Sequence, residues 1–167
     1  MKHVCWLFCG LLAAGHLFAG VPSMGEANAG FEKLKTLEGI WTGIDTDGRS
    51  IRISYKTVSA GTAVMETIDH DKLESVMVTM YHLDNDKLIM THYCSMGNQP
   101  RMRLSEIHPT TVSFVMFDAS NHSRKDDPIM NRLVITWTDQ DHITEEWTAE
   151  VKGKDSPPHA FTLERQH

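Results

Sequence analysis

Arg132-Leu133-Val134-Ile135-Thr136-Trp137-Thr138, followed after Asp139-Gln140-Asp141 by His142-Ile143-Thr144-Glu145-Glu146-Trp147-Thr148-Ala149-Glu150-Val151, decides the fold class. Leu133, Ile135 and Trp137 share one side of the first run, opposite Arg132, Val134, Thr136 and Thr138. Ile143, Trp147, Ala149 and Val151 share one side of the second, opposite His142, Thr144, Glu146 and Glu150. A period of two belongs to a pleated strand with one dry and one wet face. The polar triplet between the runs is a tight turn. Ile51, Ile53 and Tyr55 alternate with Arg52, Ser54 and Lys56 in the same way.

Outward from these runs, short stretches rich in Val, Ile, Thr, Met and aromatics recur, separated by turn sequences such as Asp47-Gly48 and Asp84-Asn85-Asp86. They predict ten strands, at 39–46, 50–58, 62–69, 74–83, 87–96, 101–107, 111–118, 130–138, 141–150 and 158–165. No long amphipathic helix is available to cover the dry face, so the sheet must bury that face on itself. Closure also removes its exposed edges. The expected architecture is all-β, a single antiparallel up-and-down barrel of roughly ten strands. Phe31, Leu34 and Leu37 have helical spacing and predict a short N-terminal helix that plugs one end. Residues 118–127 read as a polar loop over a barrel end.

The 167 residues fit one domain. Met1-Lys2-His3 precedes the nearly uncharged run Val4–Val21, which reads as a secretory signal peptide. The small residues Ala27-Asn28-Ala29 place cleavage before Gly30, with a cut near Ala19 as the alternative. Residues 1–29 are thus expected to be a leader and 30–167 the barrel domain, secreted or periplasmic, with no stable membrane span after cleavage. Cys94 is then the single cysteine left, and no disulfide framework exists. Removal of the leader takes away one Lys and one Glu and leaves the net charge at −6 with His neutral, which argues against nucleic acid as a partner.

Leu37-Glu38-Gly39-Ile40-Trp41-Thr42-Gly43 carries a G-x-W pattern that resembles the first strand of lipocalins and related calycin barrels. The resemblance implies that Trp41 lies across the closed end of a calycin-like β-barrel with Arg165, from the last strand, stacked on it. The segment Thr91-His92-Tyr93-Cys94-Ser95-Met96-Gly97-Asn98-Gln99-Pro100-Arg101-Met102, with the preceding Met77–Asp84, resembles a hairpin shared by exported bacterial β-barrel proteins of unassigned function. The early G-x-W, the ten strands, and His159 ahead of Leu163-Glu164-Arg165 are also similar to the heme-binding nitrobindin-like barrels. That likeness makes His159 the residue that would meet a heme, but its spacing departs from that family's and no cofactor is expected.

Leu88, Met90, His92, Cys94 and Met96 share one face of the fifth run, opposite Lys87, Ile89, Thr91, Tyr93 and Ser95. His92 and Cys94 therefore point inward and Tyr93 outward. Next-but-one residues on a strand stand about 6.5–7 Å apart, too far for His92, Cys94 and Met96 to close on one small ion, and no metal is expected there. Their alternatives are a packed interior, with His92 bonded to Thr79 or Glu66, and an apolar ligand cavity. Asn98, Gln99 and Arg101, at a barrel end, offer donors to a carboxylate or carbonyl, or else form a turn with a solvated outer arginine. Glu145 falls on the core face and needs a partner such as Arg103 or His92.

No recognised catalytic signature is present. The functional expectation is an exported barrel that binds a small, largely apolar molecule, with Met90, His92, Cys94, Asn98, Gln99, Arg101 and His159 as ligand-binding residues and Trp41 and Arg165 as structural ones. Two other readings stand beside it. One is a lipocalin-like enzyme using His92 and Glu145 in acid–base chemistry; the other is a structural or interaction barrel whose core its own side chains fill.

Overall fold

The computed structural model describes residues 21–71, 76–124 and 126–167. Residues 1–20 of the expected leader, and residues 74 and 75 of the fourth expected strand, lie outside them. No helix among the described residues is long and apolar enough to cross a membrane.

The helix α1 spans Met24–Lys35 and differs from the expected 31–37. It begins earlier because Ser23 and Glu26 form a capping box. The Ser23 hydroxyl accepts from the Glu26 amide at 3.3 Å, and the Glu26 carboxylate accepts from the Ser23 amide at 2.7 Å. Ala27, Gly30, Phe31 and Leu34 form its buried face, which packs into one end of the barrel against the strands that follow.

Ten strands close the barrel: β1 (Gly39–Asp45), β2 (Ser50–Val58), β3 (Ala63–His70), β4 (Met77–Asp84), β5 (Lys87–Tyr93), β6 (Gln99–His108), β7 (Thr111–Ser120), β8 (Ile129–Trp137), β9 (His142–Val151) and, after the two-residue ribbon β10 (Lys154–Asp155), β11 (His159–Gln166). Consecutive strands from β1 to β9 pair antiparallel, β9 pairs with β11, and β11 returns to β1. β10 lies on the far end of β9. The expected all-β, up-and-down barrel with one short helix is therefore the observed one.

The closing seam explains the glycines on either side of Trp41. Gly39 has φ +134°, a conformation that side chains rarely adopt, and a Cβ there would stand 3.1 Å from the Arg165 guanidinium. At Gly43 the neighbouring strand runs so close that a Cβ would overlap the Thr162 carbonyl. Between them Trp41 is fully buried, and its indole N–H donates to the Leu37 carbonyl at 2.8 Å. The Arg165 guanidinium carbon lies 4.2 Å from the ring centroid, while its nitrogens donate to the Glu38 and Thr36 carbonyls at 2.7 and 2.8 Å.

Alternation holds along most strands, but it breaks in β9. Trp147 and its neighbour Thr148 are both buried, next to a bulge between Met130 and Arg132 on β8. Val151, expected on the inner face with Ala149, is 40% exposed. It lies past the last β8–β9 pair, Ile129 with Glu150, and pairs with Lys154 of the two-residue β10, where the barrel wall ends.

The Trp41→Ala variant removes a fully buried aromatic and its cation–π partner together, and is expected to lower the unfolding free energy by about 3–5 kcal/mol in a urea titration. Unchanged stability would show that the seam does not depend on this side chain.

Candidate functional site

The strands bring their ends to the side opposite α1, where β1, β3 and β5 finish and β4, β8 and β11 begin. There the interior opens into a cavity of about 200 Å³. Ile68, Met77, Met130, Trp147 and Phe161 supply its apolar wall; His70, His92, Cys94, His159 and Arg49 supply its polar groups. Towards α1 the interior is filled by packed side chains, among them Trp41, Leu37, Leu88, Met102 and Phe114.

A polar layer adjoins this filled half. Tyr55, Glu66, Thr79 and His92 are successive cross-strand partners on β2, β3, β4 and β5, all facing inward. The Thr79 hydroxyl meets His92 Nδ1 at 2.9 Å, one of the two partners expected for that histidine. Glu66 accepts from the Tyr55 and Tyr81 hydroxyls at 3.2 and 2.9 Å. Glu145 reaches Tyr55 from β9 and accepts from the Trp147 indole at 3.2 Å. Its expected partners Arg103 and His92 are thus replaced by Tyr55 and Trp147, because Arg103 lies on the outer face.

This layer holds a proton. Tyr55 has one hydroxyl hydrogen and stands against two carboxyl groups, so with both ionised one contact would set lone pair against lone pair. Burial without a cation raises both carboxyls, Glu145 most strongly because the Glu66 charge adds to its desolvation. Glu145 is therefore the protonated member and donates to Tyr55, which donates to Glu66. The carboxyl does not line the cavity, so the structure does not assemble His92 and Glu145 as an acid–base pair on a cavity ligand.

His92 keeps its place at the floor of the cavity. Its ring lies 4.5 Å from the Trp147 ring, and burial pulls the imidazole down to about 4. It is neutral at pH 7, a hydrogen-bonding group in an apolar setting. Cys94 lies beside it as the first residue after β5, 8% exposed, with burial raising its thiol, while Tyr93 is 51% exposed on the outside. Both orientations follow the expected alternation. Beyond Cys94 the chain turns, and Met96 emerges to 38% exposure at the rim.

At the rim, Asp45 and His70 are buried, and His159 is half-buried. The Asp45 Oδ1 accepts from the Asp47 and Arg49 amides at 2.8 Å each; its Oδ2 meets His70 Nε2 at 2.9 Å and His159 Nε2 at 3.3 Å. Burial alone would raise this carboxyl, but donation from the Arg49 and Asp47 amides and from His70, with His159 nearby, holds it well below the usual carboxylate range.

Of the residues expected to bind a ligand, His92, Cys94 and His159 line the cavity; Met90, Asn98, Gln99 and Arg101 do not. Met90 points inward as expected but lies deeper, beside Met102 in the packed half. Asn98 folds the β5–β6 turn onto β8 by donating to the Pro128 carbonyl at 2.9 Å. The Gln99 side-chain carbonyl accepts from Ser120 and Asn121 at 2.8 and 2.9 Å. Arg101 is on the outer wall, paired with Asp118 and placed over the Phe117 ring. Trp41 and Arg165 meet as expected. Sequence reasoning missed Asp45 and His70. Asp45 shares an inward parity with Trp41 and Gly43, and His70 with Glu66 and Ile68, but His70 stood just beyond the expected strand end.

No protein-family model and no curated protein sequence matches the chain. Solved structures of redesigned β-barrels are similar to it at low identity. A barrel named mFAP1, bound to DFHBI, has 13% identity over 79% of this chain and 97% of its own, with a TM-score of 0.36. A second, b11L5F_LGL, has 12% identity over 80% and 95%, with a TM-score of 0.35.

Two opposite pH effects follow. For His92, the folded value near 4 lies under the ordinary 6.5, so its contribution to stability is complete above pH 6.5 and is lost as pH falls towards 4, on the order of 3 kcal/mol. For Glu145 the folded value is raised, so its contribution is complete below about pH 4.5 and is lost as pH rises. Urea midpoints measured across pH should therefore fall less steeply on the acid side in His92→Gln, and less steeply on the alkaline side in Glu145→Gln, than in the parent.

Proposed function

We propose that this protein is an exported calycin-type barrel that binds one small, largely apolar molecule in the cavity opposite α1. The observation that carries the reading is the division of the interior. One half is filled by packed side chains, and the other retains about 200 Å³ walled mainly by Ile68, Met77, Met130, Trp147 and Phe161. Thioethers adapt to irregular shapes, and apolar walls with a few fixed polar groups are the usual form of a small-molecule site. The neutral His92 supplies the orienting hydrogen bond, and the thiol of Cys94 lies within the same wall.

Export rests on the apolar segment Val4–Val21. Leader removal near Ala19 suits the fold better than removal before Gly30, since the latter would discard the Ser23–Glu26 cap and the buried Ala27. A mature chain beginning near Gly20 is the expected mass.

The binding reading is tested with 1-anilinonaphthalene-8-sulfonate as an apolar probe on protein purified after expression of the full-length chain. Enhanced probe emission, slower alkylation of Cys94 in its presence, and loss of both effects in a folded Met130→Trp variant are expected, because the larger ring fills the cavity. Equal probe binding by parent and Met130→Trp would place the probe elsewhere and overturn the assignment.

A further inference from the structure

Asp45, His70 and His159 come from three different strands, yet one donor atom of each lies within 4.8 Å of the others. We propose that these three side chains form a binding site for a divalent transition-metal ion, zinc being the reference case, at the mouth of the cavity. Two imidazole nitrogens and one carboxylate oxygen would hold the ion. A further coordination position would be left towards the cavity, which both histidines line.

The donor set suits this chemistry. Imidazole with carboxylate is a common environment for zinc and neighbouring first-row ions, and three protein ligands with an open position describe an accessible rather than a closed site. The spacing suits it as well. Ligands at about 2.0–2.2 Å from a tetrahedral ion stand about 3.3–3.6 Å from each other. The Asp45 Oδ2 already lies 2.9 Å from one imidazole nitrogen and 3.3 Å from the other.

The framework fixes the carboxylate before any ion arrives. Asp45 ends β1, and its Oδ1 is occupied by two main-chain amides, which leaves Oδ2 directed at the histidines. Such hydrogen bonding of a ligand's second atom is how metal sites set orientation. Two amides and His70 are enough to satisfy a buried carboxylate. His159 adds a second imidazole at longer distance with its side chain 37% exposed, which structural satisfaction does not require and which gives the ion a route in.

Arg49 is the cation that opposes binding, with Nη1 3.5 Å from Asp45 Oδ2. It makes a closer contact of 2.8 Å with Asp47, and its side chain is 40% exposed, so it can remain on Asp47 while an ion takes the carboxylate. The inference uses residues different from those that form the apolar wall and stands whether or not the cavity takes an apolar molecule.

The test is calorimetric titration of zinc chloride into tag-free protein, purified after expression of the full-length chain and stripped with a chelator, with cobalt(II) absorption as a second readout. One zinc per chain and intense visible cobalt bands of tetrahedral type are expected. His159→Ala and Asp45→Asn should each weaken zinc binding by at least about 100-fold, beyond the roughly 10- to 100-fold that loss of an outer hydrogen-bonding partner causes. His142→Ala, which removes an exposed histidine on the far side of the barrel, should leave it unchanged. Circular dichroism reports whether each variant folds, and the half-exposed His159 supplies the deciding variant if Asp45→Asn does not. Absence of stoichiometric binding, retention of binding in folded His159→Ala, or its loss in His142→Ala would overturn the proposal.

Discussion

The β1–β11 seam is the constraint on which the rest of the barrel depends. Among the described residues no other element covers the apolar face of the sheet, so the first and last strands must meet. They meet at Gly43, where the backbone of β11 runs too close for any side chain, and at Trp41, whose ring receives the Arg165 guanidinium. Arg165 also binds the carbonyls of Thr36 and Glu38 at the end of the α1 connection. One side chain thereby links the helix, the first strand and the last, and it seals the end that the helix plugs.

Sealing one end leaves the cavity at the other. The helix face, Trp41 and the surrounding leucines fill the near half of the interior, and the tyrosine–glutamate layer adjoins it. Carboxyl groups fully buried in this layer are tolerable because hydroxyls donate to one of them and the other keeps its proton. Such a network is specific about geometry, since each member needs its neighbour in place. Of this layer His92 lines the cavity, held by Thr79 and packed against Trp147.

At the opposite rim the chemistry changes character. Asp45 keeps its charge because amides and imidazoles face it, whereas Glu145, only a few strands away, keeps its proton because none do. The cavity thus lies between the neutral His92 and a rim where a carboxylate meets two imidazoles, with an apolar wall joining them.

Local pattern determined the strands, their parity and the need for closure, because side-chain alternation is a property of a few neighbouring residues and needs no partner to be read. Ile51–Lys56, Leu133–Trp137 and the inward His92 and Cys94 were legible for this reason, as was the Trp41–Arg165 pair through its motif. Depth along the barrel was not legible: Met90 and His92 share a face, yet only His92 reaches the cavity, since depth depends on how far each strand is staggered against the next. The helix start lies within the segment expected to be a leader, and Val151 is exposed although its parity is inward because it lies past the last β8–β9 pair, where the barrel wall ends. Asp45, His70 and His159 are far apart in the chain and carry no common spacing. Only the tertiary structure could bring them together, because their meeting is set by the β1–β11 and β2–β3 registers and by closure of the sheet upon itself.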